Sequence, residues 1–287
     1  METHDCKVRI LSLNLFLRPP FVKTNHSDYK DYRTKYFCEH IMQHFDVICL
    51  QEVFGAFNNR KQRIISEAYK KGFLHHAKSP SPSFFGGIPV IDGGLVILSR
   101  FKILESKFIP FSHGTMPDAL SYKGALYSKL LVHGEVIHLV TTHTQASYLC
   151  GDSSIYRSIR AHQLSTIQKF IKELGNNQMV LLMGDLNVEQ ECHGLFEEAR
   201  DILKEKYNYS PATYGRVLNG KPLETVLTCP DSTTSQSALD YILSFNSSSK
   251  FKFDLDLTRV EPFYVRDRPF TQISDHAGVV TTLKLKT

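Results

Sequence analysis

Apolar residues in this chain come in short runs, and the runs end on polar residues of a restricted kind. Val8–Leu13, Val47–Leu50, Leu95–Ser99, Val136–Thr141, Met179–Met183, Leu239–Leu243 and Gly278–Leu285 have the length of strands. Several are continuously apolar, which suits strands covered on both faces. Stretches with helical spacing lie between them. Ile167, Phe170, Ile171 and Leu174 precede the run at Met179, and Phe37, Ile41, Met42 and Phe45 precede the run at Val47. Ser27 or Asp28 is placed to cap the earlier helix. Arg60-Lys61 and Lys70-Lys71 fall on a further predicted helix. The pattern predicts a mixed α/β fold with strands enough for two sheets. No repeat and no shift in composition marks a boundary, so residues 1–287 are read as one domain.

A buried strand does not end in a carboxylate unless something pairs with it. Here the runs lead into Ser12-Leu13-Asn14, Gln51-Glu52-Val53, Thr142-His143-Thr144-Gln145, Gly184-Asp185-Leu186-Asn187 and Leu239-Asp240, and Ser274-Asp275-His276 precedes the last run. Each has an ordinary reading alone. Asn14 is a turn residue, Gln51-Glu52 a solvated strand end and Gly184-Asp185-Leu186-Asn187 a plain turn. Asp240 is a surface acid, Ser274-Asp275-His276 a helix cap and His143 a satisfied buried histidine. Together, oxygen donors and two histidines at strand edges suit a hard cation such as Mg2+. That cation with a histidine base is what hydrolysis of a phosphate ester requires.

Composition narrows the picture without deciding it. The formal charge of +5 suits an anionic substrate or surface. The amino terminus METHDCKVRI leads into no apolar signal core, and no apolar run is long enough to span a bilayer. The expected location is cytoplasmic, peripheral on membranes. The six cysteines form no CxxC pair, so free thiols are expected, and no Cys/His cluster has zinc spacing.

The ordered set Gln51-Glu52, Gly184-Asp185-Leu186-Asn187 and Ser274-Asp275-His276 resembles the endonuclease/exonuclease/phosphatase superfamily, from Asn14 to His276. That resemblance implies a DNase-like, four-layered α/β/β/α sandwich: two packed mixed sheets flanked by helices, with the site where strand ends meet. It implies Glu52 as the central Mg2+ ligand (Mn2+ being able to substitute), with Asn14 beside it and Asp275 near the metal. His276 would accept the proton of the attacking water and Asp240 would hold its imidazole. Asp185 and Asn187 would position the water and a phosphoryl oxygen. His143 would stabilise the growing charge or protonate the leaving oxygen.

Asp118 with Lys123-Gly124, Thr142-His143-Thr144-Gln145-Ala146, Gly184-Asp185-Leu186-Asn187-Val188 and Asp92-Gly93-Gly94-Leu95-Val96-Ile97-Leu98-Ser99 are similar to segments of the neutral sphingomyelinases. The ordinary reading of Asp118 and Lys123 is a surface ion pair in a loop. The resemblance implies instead a switch in which Asp118 holds the Lys123 cation toward or away from the site. The inositol 5-phosphatases carry a Trp-Cys-Asp-Arg segment where this chain reads Leu239-Asp240-Tyr241-Ile242, and the chain has no Trp. The implied activity is phospholipase C type hydrolysis of sphingomyelin or a related choline phospholipid. The alternatives are a Mg2+-dependent nuclease on the same fold and an inactive lipid- or protein-binding domain. Nucleic acid is the less favoured partner, for want of Trp and of a long basic run. Membrane contact is expected from Phe84-Phe85-Gly86-Gly87-Ile88-Pro89 and Tyr148-Leu149-Cys150-Gly151.

Overall fold

The computed structural model describes residues 7–23, 27–82, 90–112, 114–148, 154–188, 196, 198–215, 217–218, 221–222, 227, 236–246 and 250–285. The strands are β1 (Lys7–Leu17), β2 (Val47–Val53), β3 (His75–Lys78), β4 (Val96–Ser99), β5 (Lys102–Pro110), β6 (Gly124–Val132), β7 (Glu135–His143), β8 (Met179–Asp185), β9 (Arg200–Asp201), β10 (Val217–Leu218), β11 (Lys221–Pro222), β12 (Asp240–Phe245), β13 (Phe251–Phe253), β14 (Arg259–Glu261) and β15 (Gly278–Leu285). The helices are α1 (Lys30–Tyr36), α2 (Arg60–Lys70), α3 (Ser154–Glu173) and α4 (Ile202–Tyr207).

One seven-stranded sheet runs β13-β15-β1-β2-β4-β3, with β14 also on β15, and a six-stranded sheet runs β5-β6-β7-β8-β12-β9. β1 and β2 are parallel in the first sheet, as are β7 and β8 in the second. The other pairings in these two sheets are antiparallel. Both parallel pairs therefore bring two strand ends to one edge, and these four ends carry Asn14, Glu52, His143 and Asp185.

The continuous apolar runs are explained by burial on both faces. In β8, Leu181 and Met183 face the other sheet, with Ile10, Cys49 and Ile97 in the same cluster. Val180 and Leu182 face the opposite way, against Leu164, Ile167, Phe170 and Ile171 of α3. Leu11, Leu13, Ile48 and Leu50 of the first sheet pack outward against Phe37, Ile41 and Met42 and against Ile64, Ile65 and Ala68 of α2. Helix, sheet, sheet and helix form the four layers expected.

Local differences have physical causes. Neither Ser27 nor Asp28 caps α1: Tyr29 is the N-cap, in the left-handed region, with no side-chain cap bond. Asp28 is buried and bonded to Arg18 instead. α1 continues as a π turn over Phe37–Ile41 and a 3-10 turn over Met42–His44, which keeps Phe37, Ile41 and Met42 buried together. The strand β5 escapes the hydrophobic pattern because it is an edge strand with exposed Lys102, Glu105 and Lys107. Among the described residues no helix is long and apolar enough to cross a membrane, and Cys38 and Cys49 are free thiols.

Candidate active site

Where the two sheets' strand ends meet, the inner face turns from apolar to polar. Gln51 Nε2 bridges the sheets by donating to Thr141 Oγ1 (2.9 Å) and Ser12 Oγ (3.3 Å). One residue further, alternation alone would turn Glu52 away from the second sheet. Its backbone instead takes φ 54°. Its carboxylate receives Asn14 Nδ2 at 3.0 Å, and the same amide nitrogen donates to Asp185 Oδ2 of the second sheet at 3.1 Å. Phe16 (φ 52°) and Asn187 (φ 49°) are left-handed too. Such backbones cost on the order of 1–3 kcal/mol each and cluster at functional sites. Gly184 has φ 141°, and a Cβ there would lie 2.1 Å from Thr142 O, so the Gly-Asp-x-Asn turn needs glycine for close approach of β7.

The acid groups are arranged around two imidazoles. His276 Nδ1 bonds Asp240 Oδ2 at 2.8 Å, and its Nε2 lies 3.6 Å from Asp185 Oδ2. Asp240 Oδ2 also accepts Thr213 Oγ1 at 2.7 Å. Burial alone would lower the His276 pKa, but the surrounding carboxylates of Asp240, Asp185 and Asp275 outweigh it and raise it well above the usual value. His143 Nε2 lies 3.7 Å from Asp185 Oδ2 and 4.0 Å from Glu52 Oε1. Burial, then the Lys123 charge, push His143 down to about 3, so it is neutral. Asn187 N–H donates to Asp185 Oδ1 at 2.9 Å, which fixes the carboxylate's rotation.

Glu52 and Asp275 meet the chemical requirements of a cation site. Burial first, then repulsion from Asp275, raises Glu52 to about 7, and burial raises Asp275 as well. A hard divalent cation would relieve both, and the donor set is all oxygen. Asn14 could ligate only through Oδ1, which here accepts the Phe16 N–H at 3.0 Å. Ligating atoms of Asp185, Asp240 and His276 also lie within 4.8 Å of one another. A cation among those three would compete with the His276–Asp240 hydrogen bond.

The site opens into a cleft of about 640 Å3. Glu52, His143, Asp185, Asn187, Asp275 and His276 line it, and so do Arg18, Phe54, Arg157 and Tyr214, which the sequence motifs do not single out, and Tyr148, from a segment expected at the membrane. The Tyr214 ring lies 4.9 Å from that of His276. Asp118 and Lys123 pair at 2.8 Å, and both are largely buried, so the pair is no surface contact. Lys123 Nζ also donates to Thr144 O (2.7 Å), while Asp118 accepts Ala146 N–H (2.9 Å) and Tyr148 OH (2.7 Å). The pair thus clamps the segment that follows His143, and Lys123 does not itself line the cleft. Residues 84–89 and 149–151, expected at the membrane, lie outside the described residues.

The Endonuclease/Exonuclease/phosphatase family model matches residues 11–276, which span every group just described. The chain belongs to this family. Within it, the chain is close to the sphingomyelinases. It is 31% identical to a sphingomyelinase of Dictyostelium discoideum, over 91% of this chain and 76% of that one. It is 28% identical to sphingomyelinase C of Listeria ivanovii, over 73% of this chain and 64% of that one. The fold matches that of beta toxin from Staphylococcus aureus with TM-score 0.76 at 22% identity, over 96% of this chain and 99% of that one. It also matches Danio rerio TDP2 complexed with a single-strand DNA product, with TM-score 0.71 at 20% identity, over 97% and 99%. As a member of the endonuclease/exonuclease/phosphatase family, the protein is a phosphodiesterase.

Proposed function

We propose that the protein hydrolyses the phosphodiester of sphingomyelin, or of a related choline phospholipid, in a Mg2+-dependent reaction that releases phosphocholine. The likeness to the Dictyostelium sphingomyelinase along nearly the whole chain carries this reading. The cleft rim supports a substrate held in a lipid surface. Phe21 and Phe57 are 84% and 69% exposed, and their rings lie 6.2 Å apart beyond the strand ends that build the site. Beside Phe21, half-exposed Val22 lines the cleft. A nuclease reading has the TDP2 likeness in its favour, but the basic pair Arg60-Lys61 is buried against Asp31 and Asp92 and offers no groove for a phosphate backbone.

The residues divide the work as follows. His276 accepts a proton from water, and Asp240 holds its Nδ1–H so that Nε2 is the basic atom. The activated water attacks phosphorus as the bond to the ceramide oxygen breaks, and that oxygen leaves as an alkoxide that takes up a proton from solvent, while the proton on His276 returns to solvent. Neutral His143 keeps one N–H and serves as a hydrogen-bond donor to a phosphoryl oxygen, since at about 3 it lacks the imidazolium proton that a general acid would give to the leaving oxygen. Asp185, held by Asn187 N–H, sits between both imidazoles and orients the water. Glu52 and Asp275 would hold the Mg2+, with Asn14 beside them. When bound there, the cation would supply positive charge to the phosphate. Parallel assays on sphingomyelin vesicles and single-stranded DNA, each with and without EDTA, test the reading. Lipid turnover abolished by EDTA is expected. DNA cleavage with no lipid turnover would replace it with the nuclease.

A further inference from the structure

Helix α1 puts two cations in the interior and pairs them mainly with backbone oxygens. Lys30 Nζ donates to Pro19 O and Val22 O. One turn on, Arg33 is completely buried. Its Nε donates to Asp28 O (2.7 Å), its Nη1 to Leu15 O (2.9 Å) and Ile273 O (2.7 Å), and its Nη2 to Phe16 O (2.8 Å). A guanidinium without a bonded carboxylate is a costly thing to bury. What it gains here is a junction between segments far apart in the chain. Leu15 and Phe16 follow Asn14 on β1, and Ile273 precedes Ser274-Asp275-His276.

Both ends of that junction lead directly to site atoms. The Phe16 N–H, in the left-handed backbone whose carbonyl Arg33 holds, fixes the Asn14 amide through Oδ1. On the other side, Ser274 Oγ donates to Asn14 O at 2.5 Å and accepts His276 N–H at 3.2 Å. Ser274 is thus a second tie across the same gap, one residue beyond the carbonyl that Arg33 grips. Five N–H groups in a rigid plane can hold several carbonyls at once, whereas an ammonium cannot reproduce that fork.

We propose that Arg33 is a positioning residue, whose guanidinium sets the spacing between the Asn14 amide and the Asp275–His276 segment at the floor of the cleft. The readouts below rest on the metal-dependent reading above. Arg33→Lys keeps the charge and most of the bulk but loses the fork. Groups that orient metal ligands typically change metal affinity by about 10–100-fold, and a displacement of about 1 Å can cost roughly 10²-fold in rate.

The experiment compares wild type and Arg33→Lys by thermal melting, by calorimetric Mg2+ titration without substrate, and by kcat and KM on the diester that wild type turns over. Expected are a cooperative melt well above assay temperature, Mg2+ binding weakened at least tenfold, a lower kcat and an unchanged KM. Arg33→Ala should recover part of its kcat when guanidinium is added at millimolar concentration, and none with methylammonium. Unchanged kcat and Mg2+ affinity in Arg33→Lys would overturn the proposal. So would a variant without a cooperative melt, since Arg33 would then be a folding residue. Failure of wild type to bind Mg2+ would instead strike the metal reading, and kcat would still decide for or against Arg33.

Discussion

At the residue scale, the site is a set of buried acids packed around two imidazoles. His276 can act as base only when neutral, and the carboxylates around it raise its pKa against the opposing effect of burial. The rate should therefore climb with pH through a raised pKa and level off above it. Asp240→Asn removes one of the raising charges, so the rising limb should move to lower pH while the plateau falls. A pH–rate profile of the two proteins, with chemistry rate-limiting, checks this; an unmoved limb would detach His276 from Asp240. His276→Ala should cost about 10²–10⁴-fold in kcat, the usual share of a general base. Glu52→Gln keeps shape and removes the charge that burial and Asp275 oppose. It should melt no lower than wild type and need far more Mg2+ for activity, as a metal titration would show.

At the element scale, four strand ends do the placing, and this is why much of the site is legible in the sequence. His143 and Asp185 end buried strands, Glu52 comes one residue before the end of β2 and Asn14 three before the end of β1, and in each a polar residue stands out after an apolar run. Thr213, Tyr214, Arg18 and Arg33 do not. They sit in loops, at a strand end without a motif or within a short helix, and only the fold brings Thr213 to Asp240 or Arg33 to Ile273. The re-aiming of Glu52 by a left-handed backbone is likewise invisible to a period of two. The Asp118–Lys123 pair is legible as a motif, but its burial is not. Breaking a buried pair on one side typically costs about 3–5 kcal/mol, whereas an exposed pair such as Arg259–Glu261 is worth about 0–1 kcal/mol. Denaturant melts of Lys123→Met and Glu261→Gln should show that contrast, and Lys123→Met should also lose activity as the segment from Thr144 to Tyr148 loosens. Equal stability of the two variants would return Asp118 and Lys123 to the rank of a loop contact.

At the scale of the whole molecule, two sheets share one apolar interface and present their parallel strand ends at a single edge, where the cleft and the exposed Phe21–Phe57 pair also lie. A lipid surface fits that arrangement. Phe21→Ser with Phe57→Ser should reduce turnover of vesicles while sparing a short-chain, water-soluble choline phospholipid; equal losses on both would remove the rim from the account. The most direct test of the central claim follows the oxygen of the attacking water. Sphingomyelin vesicles are turned over in 18O-labelled water with Mg2+, and the products are read by phosphorus NMR and mass spectrometry. One labelled oxygen in phosphocholine and unlabelled ceramide are expected, because water attacks phosphorus and the ceramide oxygen leaves. Label in choline or ceramide, or no sphingomyelin turnover by a protein that cleaves DNA, would contradict the claim.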